Sequence, residues 1–131
     1  MLRDLLLEEK GLEALTKNKR IRSLATIGTV DLFLLGSIAR ECGRHQGVEP
    51  VILRSRRRTQ SISFTRQMAM YVARETSSLS WEQIGAYFDR DHSTTIHGHA
   101  VIQMRVGHSA KFKRTIAGII ERCQRSEEAA A

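Results

Sequence analysis

Ser80-Trp81-Glu82-Gln83-Ile84-Gly85-Ala86-Tyr87-Phe88-Asp89-Arg90-Asp91-His92-Ser93-Thr94-Thr95-Ile96 is the stretch that decides how this chain folds. Ser80-x-x-Gln83 has the form of a capping box, in which serine hydroxyl and glutamine side chain each satisfy an orphan backbone N–H at a helix start. A short helix is therefore expected from Ser80, carrying Trp81, Ile84, Tyr87 and Phe88 and stopping at Asp89. Asp91 can cap the next helix, whose first turn is polar and whose residues Ile96, Ala100, Val101 and Met104 are expected to face inward. A short helix, a tight turn and a polar-fronted helix make a helix-turn-helix.

Outward from this core the chain reads as helical throughout. It has a single proline, Pro50, and no run of alternating apolar and polar residues. Residues 2–16 read as an amphipathic helix with Leu5, Leu6, Glu9 and Leu12 at helical spacing, and Lys17 to Arg22 as a basic connector. That connector is either a solvated linker or a second nucleic-acid contact. A longer helix is expected from Val30 to His45, with Leu32, Leu35, Ile38, Ala39 and Cys42 facing a core and Gly47 stopping it. Pro50 can open a short turn carrying Val51, Ile52 and Leu53. The loop Arg54-Ser55-Arg56-Arg57-Arg58 follows. Phe64, Met68, Tyr71, Val72 and Glu75 then mark a helix over residues 64–76. Gly107 is expected to end the polar-fronted helix, and Ser109 to Gln124 to form the last one. The reading divides the chain into an N-terminal helical extension (1–35), a helix-turn-helix domain (36–124) and a frayed tail (125–131).

The totals narrow the function classes. With 131 residues and 41% hydrophobic content, one compact core is the expectation. The net charge of +7 is unevenly spread. Residues 1–50 hold eight Lys/Arg against seven Asp/Glu, and residues 51–131 thirteen against seven, which places a polyanion-binding surface in the second part. Cys42 and Cys123 lack a Cys-x-x-Cys partner and read as reduced thiols, not a disulfide framework or zinc site. The opening decapeptide is too acidic for a signal peptide, and the apolar stretch Thr26–Ala39 falls short of the ~20 residues a membrane span requires. The expected location is cytoplasmic and nucleoid-associated, with no membrane partner.

Several of these strings together carry a resemblance. The arginine-rich loop, Thr65-Arg66-Gln67-Met68-Ala69-Met70, Ile84-Gly85, and Arg90-Asp91-His92-Ser93-Thr94 follow one another at the separation found in one family. From Ile38 to Met104 the chain resembles the DNA-binding C-terminal domain (domain IV) of the bacterial replication initiator DnaA. The resemblance covers about half of the chain. It implies an all-α helical bundle with a helix-turn-helix, of the DnaA domain IV or Trp-repressor-like kind. The implied partner is double-stranded, A·T-rich DNA carrying an asymmetric DnaA box resembling TTATCCACA.

Carried onto this chain, the resemblance implies that Asp91, His92 and Thr94 reach base edges in the major groove, and that Arg58 enters the adjacent minor groove. Residue chemistry supports this on its own terms. Asp accepts from a cytosine amino group, His gives or accepts one bond, and a Thr methyl packs on a thymine methyl. An arginine is drawn into a narrow A·T minor groove by its enhanced negative potential. The alternative for Asp91, Ser93 and Thr94 is that they only cap and tolerate the first helical turn. Arg90 and Ser93 would hold phosphate or guanine. Arg54, Arg56 and Arg57 would hold phosphate or form a solvated face. Arg66 and Gln67, read as lying at a helix N-terminus, would hold phosphate, with Arg74 continuing the track or simply exposed. Trp81 is either a core residue between helices or a thymine contact. His92, His97 and His99 do not read as a metal site, because positions 92 and 97 do not share a helix face; His97 is expected to pack behind the recognition surface.

The chain departs from the family pattern in four places. Asp89 alone stands where relatives have a two-residue turn, often Gly-Gly, and Trp81-Glu82 replaces an apolar-Pro pair. Gly98 sits inside a helix at a cost of about 1 kcal/mol against alanine. The Gly-x-x-x-x-Gly-Lys-Ser/Thr phosphate loop is missing, so no nucleotide or other cofactor is expected. Nor is there a carboxylate cluster or nucleophile–base pair for catalysis, so the chain does not read as an enzyme. The favoured reading is a stand-alone box binder that regulates replication initiation or transcription by occupying sites. Its residues 1–35 would be an extra packing layer, a dimerisation element or a docking segment for a protein partner. The alternatives are a Trp-repressor-like repressor with an unrelated operator, or the DNA-targeting arm of a transposition system.

Overall fold

The computed structural model describes residues 18–130. Among the described residues there are seven helices and no strand: α1 (Lys19–Ala25), α2 (Thr29–Gln46), α3 (Pro50–Leu53), α4 (Gln60–Thr76), α5 (Trp81–Tyr87), α6 (His92–His108) and α7 (Ala110–Ala130). The expected helix over residues 2–16 lies outside the described residues. No single described helix is long and apolar enough to cross a membrane.

α4 is the central element, packed by α2, α3, α5, α6 and α7. Its residues Thr65 to Ala73 are buried with the exception of Gln67. It begins at Gln60, four residues before the apolar spacing suggests, because the Thr59 hydroxyl accepts from the Ile62 backbone N–H at 3.4 Å. α2 presents Leu34, Leu35, Ile38, Ala39 and Cys42 to the core. Leu32, expected among them, is 40% exposed, and Leu34 takes the inward position. Gly47, at φ 70°, ends α2 in the left-handed conformation that glycine adopts without strain.

Two expected boundaries differ. Residue 36 falls in mid-helix, since α2 runs unbroken from Thr29 to Gln46 with core residues on both sides of it. Residues 125–130, expected to fray, continue α7. Lys17 to Arg22, read as a connector, opens a helix from Lys19: the Asn18 side chain caps α1 by accepting from Arg20 and Ile21 N–H groups. Leu24 packs against the core and Ile27, just beyond α1, is buried in it.

The largest difference lies in α6. Ile96 and Met104 are 42% and 67% exposed and Ala100 is also exposed, whereas Thr95, Gly98 and Ile102 are buried. Small residues line this contact because α4 comes close. A Cβ on Gly98 would stand 3.2 Å from Gln67 Cγ and 3.4 Å from Met70 Sδ. Counting apolar residues points to the wrong face when the packed face is made of Gly and Thr. α6 also runs one residue past Gly107, to His108.

Candidate nucleic-acid interface

The turn between α5 and α6 is built by three local features. The capping box at Ser80 is present in both directions, which fixes where α5 starts. Asp89 has φ 55°, the left-handed conformation, which Asp tolerates better than most non-glycine residues. Gly85 then receives the returning chain: the Arg90 N–H donates to its carbonyl at 2.7 Å. A Cβ at Gly85 would lie 2.7 Å from the Arg90 carbonyl oxygen and 2.8 Å from Thr95 Oγ1, so no other residue fits without displacing the turn. The left-handed Asp89 and the bare surface of Gly85 together let the chain turn back toward α6.

The arginines divide into two sets. Arg66 is 4% exposed and lies in the seventh position of α4, not at its N-terminus. Its guanidinium donates to the carbonyls of Leu53 (2.7 Å), Arg57 (3.0 Å), Ser55 (3.2 Å) and Ile52 (3.5 Å). Arg90 donates to the carbonyls of Ser55 and Asp89, both at 2.9 Å, and of Phe88 at 3.2 Å. Arg54 donates to the Tyr87 carbonyl at 2.7 Å and stacks over the Tyr87 ring. The phosphate roles expected of Arg66 and Arg90 are therefore corrected, since their guanidinium groups donate to main-chain carbonyls, whereas Arg54 is exposed and donates through Nε alone. Together they tie the 54–58 loop to the α5–α6 turn. Gln67, one position further along α4, packs against Gly98 of α6 instead of marking a helix start.

Arg56, Arg57 and Arg58 point the other way and are exposed. Arg56 makes only a long 3.9 Å approach to Asp89. Burial, followed by the charges of Arg90 and Arg58, pulls the Arg66 pKa down to about 10. Burial also lowers that of Arg90; Asp89 opposes this, while Arg58, Arg20 and Arg56 add to it. Guanidinium groups this crowded favour a bound anion, which relieves their mutual repulsion.

At the start of α6, Asp91, Ser93 and Thr94 are exposed and His92 is half-buried. Asp91 occupies the cap position, but its carboxylate does not accept from the helix N–H groups. It accepts instead from the Ser93 hydroxyl at 3.2 Å and lies 3.6 Å from His92 Nδ1. Thr95, next to Thr94, is fully buried and donates to the Asp91 carbonyl. Arg56, Arg58, Asp91 and Thr94 line one cleft with Arg20, Asp89 and Arg90. The loop and the helix start thus open on the same side.

Two further expectations change. His97 is exposed, and His99 is the histidine behind the helix: it stacks on Tyr71 with ring centroids 4.9 Å apart and bonds Glu75 at 2.8 Å. Trp81 meets the His99 ring edge-on and carries Arg74 4.1 Å above its own ring. Arg74 also donates to the Leu79 carbonyl, so the phosphate track expected along α4 is replaced by a packed Arg–Trp–His–Tyr stack. Arg20 is the participant that motif reading missed. It donates to Asp89 Oδ1 at 2.9 Å and brings α1 onto the turn. Its only sequence signal was the basic character of residues 17–22.

A family model described as the bacterial dnaA protein helix-turn-helix matches residues 36–102, just over half of the chain. The chain is also similar to the chromosomal replication initiator protein DnaA of several bacteria. It is 35% identical over 85 residues to those of Caldanaerobacter subterraneus subsp. tengcongensis and a Thermoanaerobacter species, matching 65% of this chain and 19% of each relative. It is 32% identical over 91 residues to that of Deinococcus radiodurans, matching 70% of this chain and 20% of the relative. The chain thus spans about a fifth of the length of the curated relatives it matches. The matched segment is a DNA-binding helix-turn-helix unit. The chain belongs to the bacterial DnaA helix-turn-helix family.

Proposed function

We propose that this protein binds double-stranded DNA sequence-specifically at DnaA-box-like sites. α6 enters the major groove, where Asp91, His92 and Thr94 meet base edges, and Arg58 enters the neighbouring A·T-rich minor groove. Arg56 and Arg57 hold phosphates beside it, and Ser93 orients the Asp91 carboxylate. Arg54, Arg66, Arg74, Arg90, Gln67 and Trp81 support this surface from behind. The observation that carries the reading is the shared cleft: the exposed arginines and the polar helix start face one side, held there by arginines whose own donors are internal. The protein acts by occupying its sites, so regulating replication initiation or transcription, and resides with the nucleoid in the cytoplasm.

A titration against a duplex carrying a TTATCCACA-like box and its scrambled control, over a salt series, tests this. The expected result is preference for the box, with log affinity falling against log salt at a slope of about −3 to −5, for roughly 3–6 phosphate contacts. Equal affinity for both duplexes would overturn the proposal.

A further inference from the structure

α1 lies outside the segment that the family model matches, yet it is seated on the recognition turn. Two side-chain contacts hold it there. Arg20 reaches Asp89 at 2.9 Å, and the Gln83 amide, already part of the α5 capping box, donates to Thr26 Oγ1 at 3.0 Å. Beneath them Leu24 packs against the core. This docking brings Asn18, Lys19, Arg20 and Ser23 into one cleft with Glu82, Arg90, Asp91 and His92. Lys19 and Arg22, three residues apart, share one face of α1 and line a second cleft with Ser80 and Gln83 at the start of α5. Both are exposed, and neither is paired with an acidic side chain among the described residues.

We infer that α1 is an added DNA-backbone contact, with Lys19 and Arg22 taking phosphates that flank the box on the side of the α6 N-terminus. The inference rests on the proposed docking of α6 in the major groove. In that docking the first helix of the pair crosses the backbone, and α1 is packed on that helix, α5. A phosphate strand passing the start of α5 meets Lys19 and Arg22 in the cleft they line with Ser80 and Gln83. Glu82 and Asp91 are the acidic groups lining the cleft beside them, and the exposed Arg20 is engaged with Asp89. Arg20 is thus a positioning residue, and the two exposed cations are the contacts.

The test compares the full chain with its Lys19→Ala/Arg22→Ala double variant. Each is titrated with a box duplex bearing flanking base pairs, a duplex trimmed to the box, and a scrambled duplex of full length. The variant is expected to melt like the parent, to bind both full-length duplexes roughly tenfold more weakly, and to show a salt slope shallower by about 1–2. Its preference for box over scramble should be unchanged, and on the trimmed duplex it should match the parent. A variant with the parent's affinity and slope on the full-length duplexes would overturn the inference and leave α1 as a packing layer. Loss of box preference in the parent would sink the proposed function instead. A shallower slope in the variant would then still support a backbone contact by α1.

Discussion

Arg66 and Arg58 stand eight positions apart on one segment and do opposite things. Arg66 is buried, and its guanidinium is surrounded by four main-chain carbonyls. Arg58 is exposed, in a cleft beside Asp91 and Thr94. The half-buried Arg90 and the exposed Arg54 also bond main-chain carbonyls, whereas Arg56 and Arg57 lie outside. The loop is therefore a rigid platform, because the inner set bonds its backbone. An arginine that must fit a groove loses little entropy on binding if its backbone is already fixed. The lesson is that a basic motif's charge count overstates how many of its cations are free for a polyanion.

The sharpest way to break that contrast is to remove an inner arginine. Arg66→Ala strands loop carbonyls that now accept charge-assisted bonds, and should lower unfolding stability by about 3–4 kcal/mol in a urea titration. Affinity for box and scrambled DNA should fall together. Arg66→Lys should rescue little of this, since one ammonium cannot reproduce the planar fork. Gly85→Ala should cost about 2–3 kcal/mol by the same measurement, because the new Cβ meets the Arg90 carbonyl and Thr95. A parent-like melt for either variant would undo the account of how the turn is held.

The outer set should behave in the reverse way. Arg58→Ala, His92→Ala and Thr94→Ala should each cost about 1–3 kcal/mol in box affinity and relax base preference. Stability should stay within about 0.5 kcal/mol of the parent for the exposed Arg58 and Thr94, and within about 1 kcal/mol for the half-buried His92. A large stability loss without any binding loss would reassign the residue to the supporting set. The smallest effect should come from Asp89→Gly. Relief of a non-glycine left-handed residue, about 1 kcal/mol, offsets loss of the half-exposed Arg20 ion pair, worth about 0.2–1 kcal/mol. Its melt should therefore shift by less than about 0.5 kcal/mol.

How much of this was legible beforehand depends on what kind of force decides each feature. Local signals read correctly. Ser80 and Gln83 fixed the start of α5 because a capping box is complete within four residues, and Gly47 and Pro50 bracketed α2 and α3 for equally local reasons. The inward face of α6 did not read correctly, because Gly98 and Thr95 were selected by the closeness of α4 and Gly85, not by hydrophobicity. His99 in place of His97 as the packed histidine has the same origin: Tyr71 and Glu75 of α4 supply the ring stack and the hydrogen bond.

The sequence alone determined the all-helical character of the described residues, the helix-turn-helix, and the family to which its motifs point, since helix periodicity, capping and short strings are written in consecutive residues. Which arginines are available to DNA was decided only in three dimensions. Every guanidinium in the run Arg54 to Arg58 carries the same charge and the same donors. Whether those donors meet carbonyls of a distant turn or solvent depends on where α4 and α5 bring that turn. The placement of Arg20 on Asp89, 69 positions away, is of the same kind, and no reading of neighbours in the chain contains it.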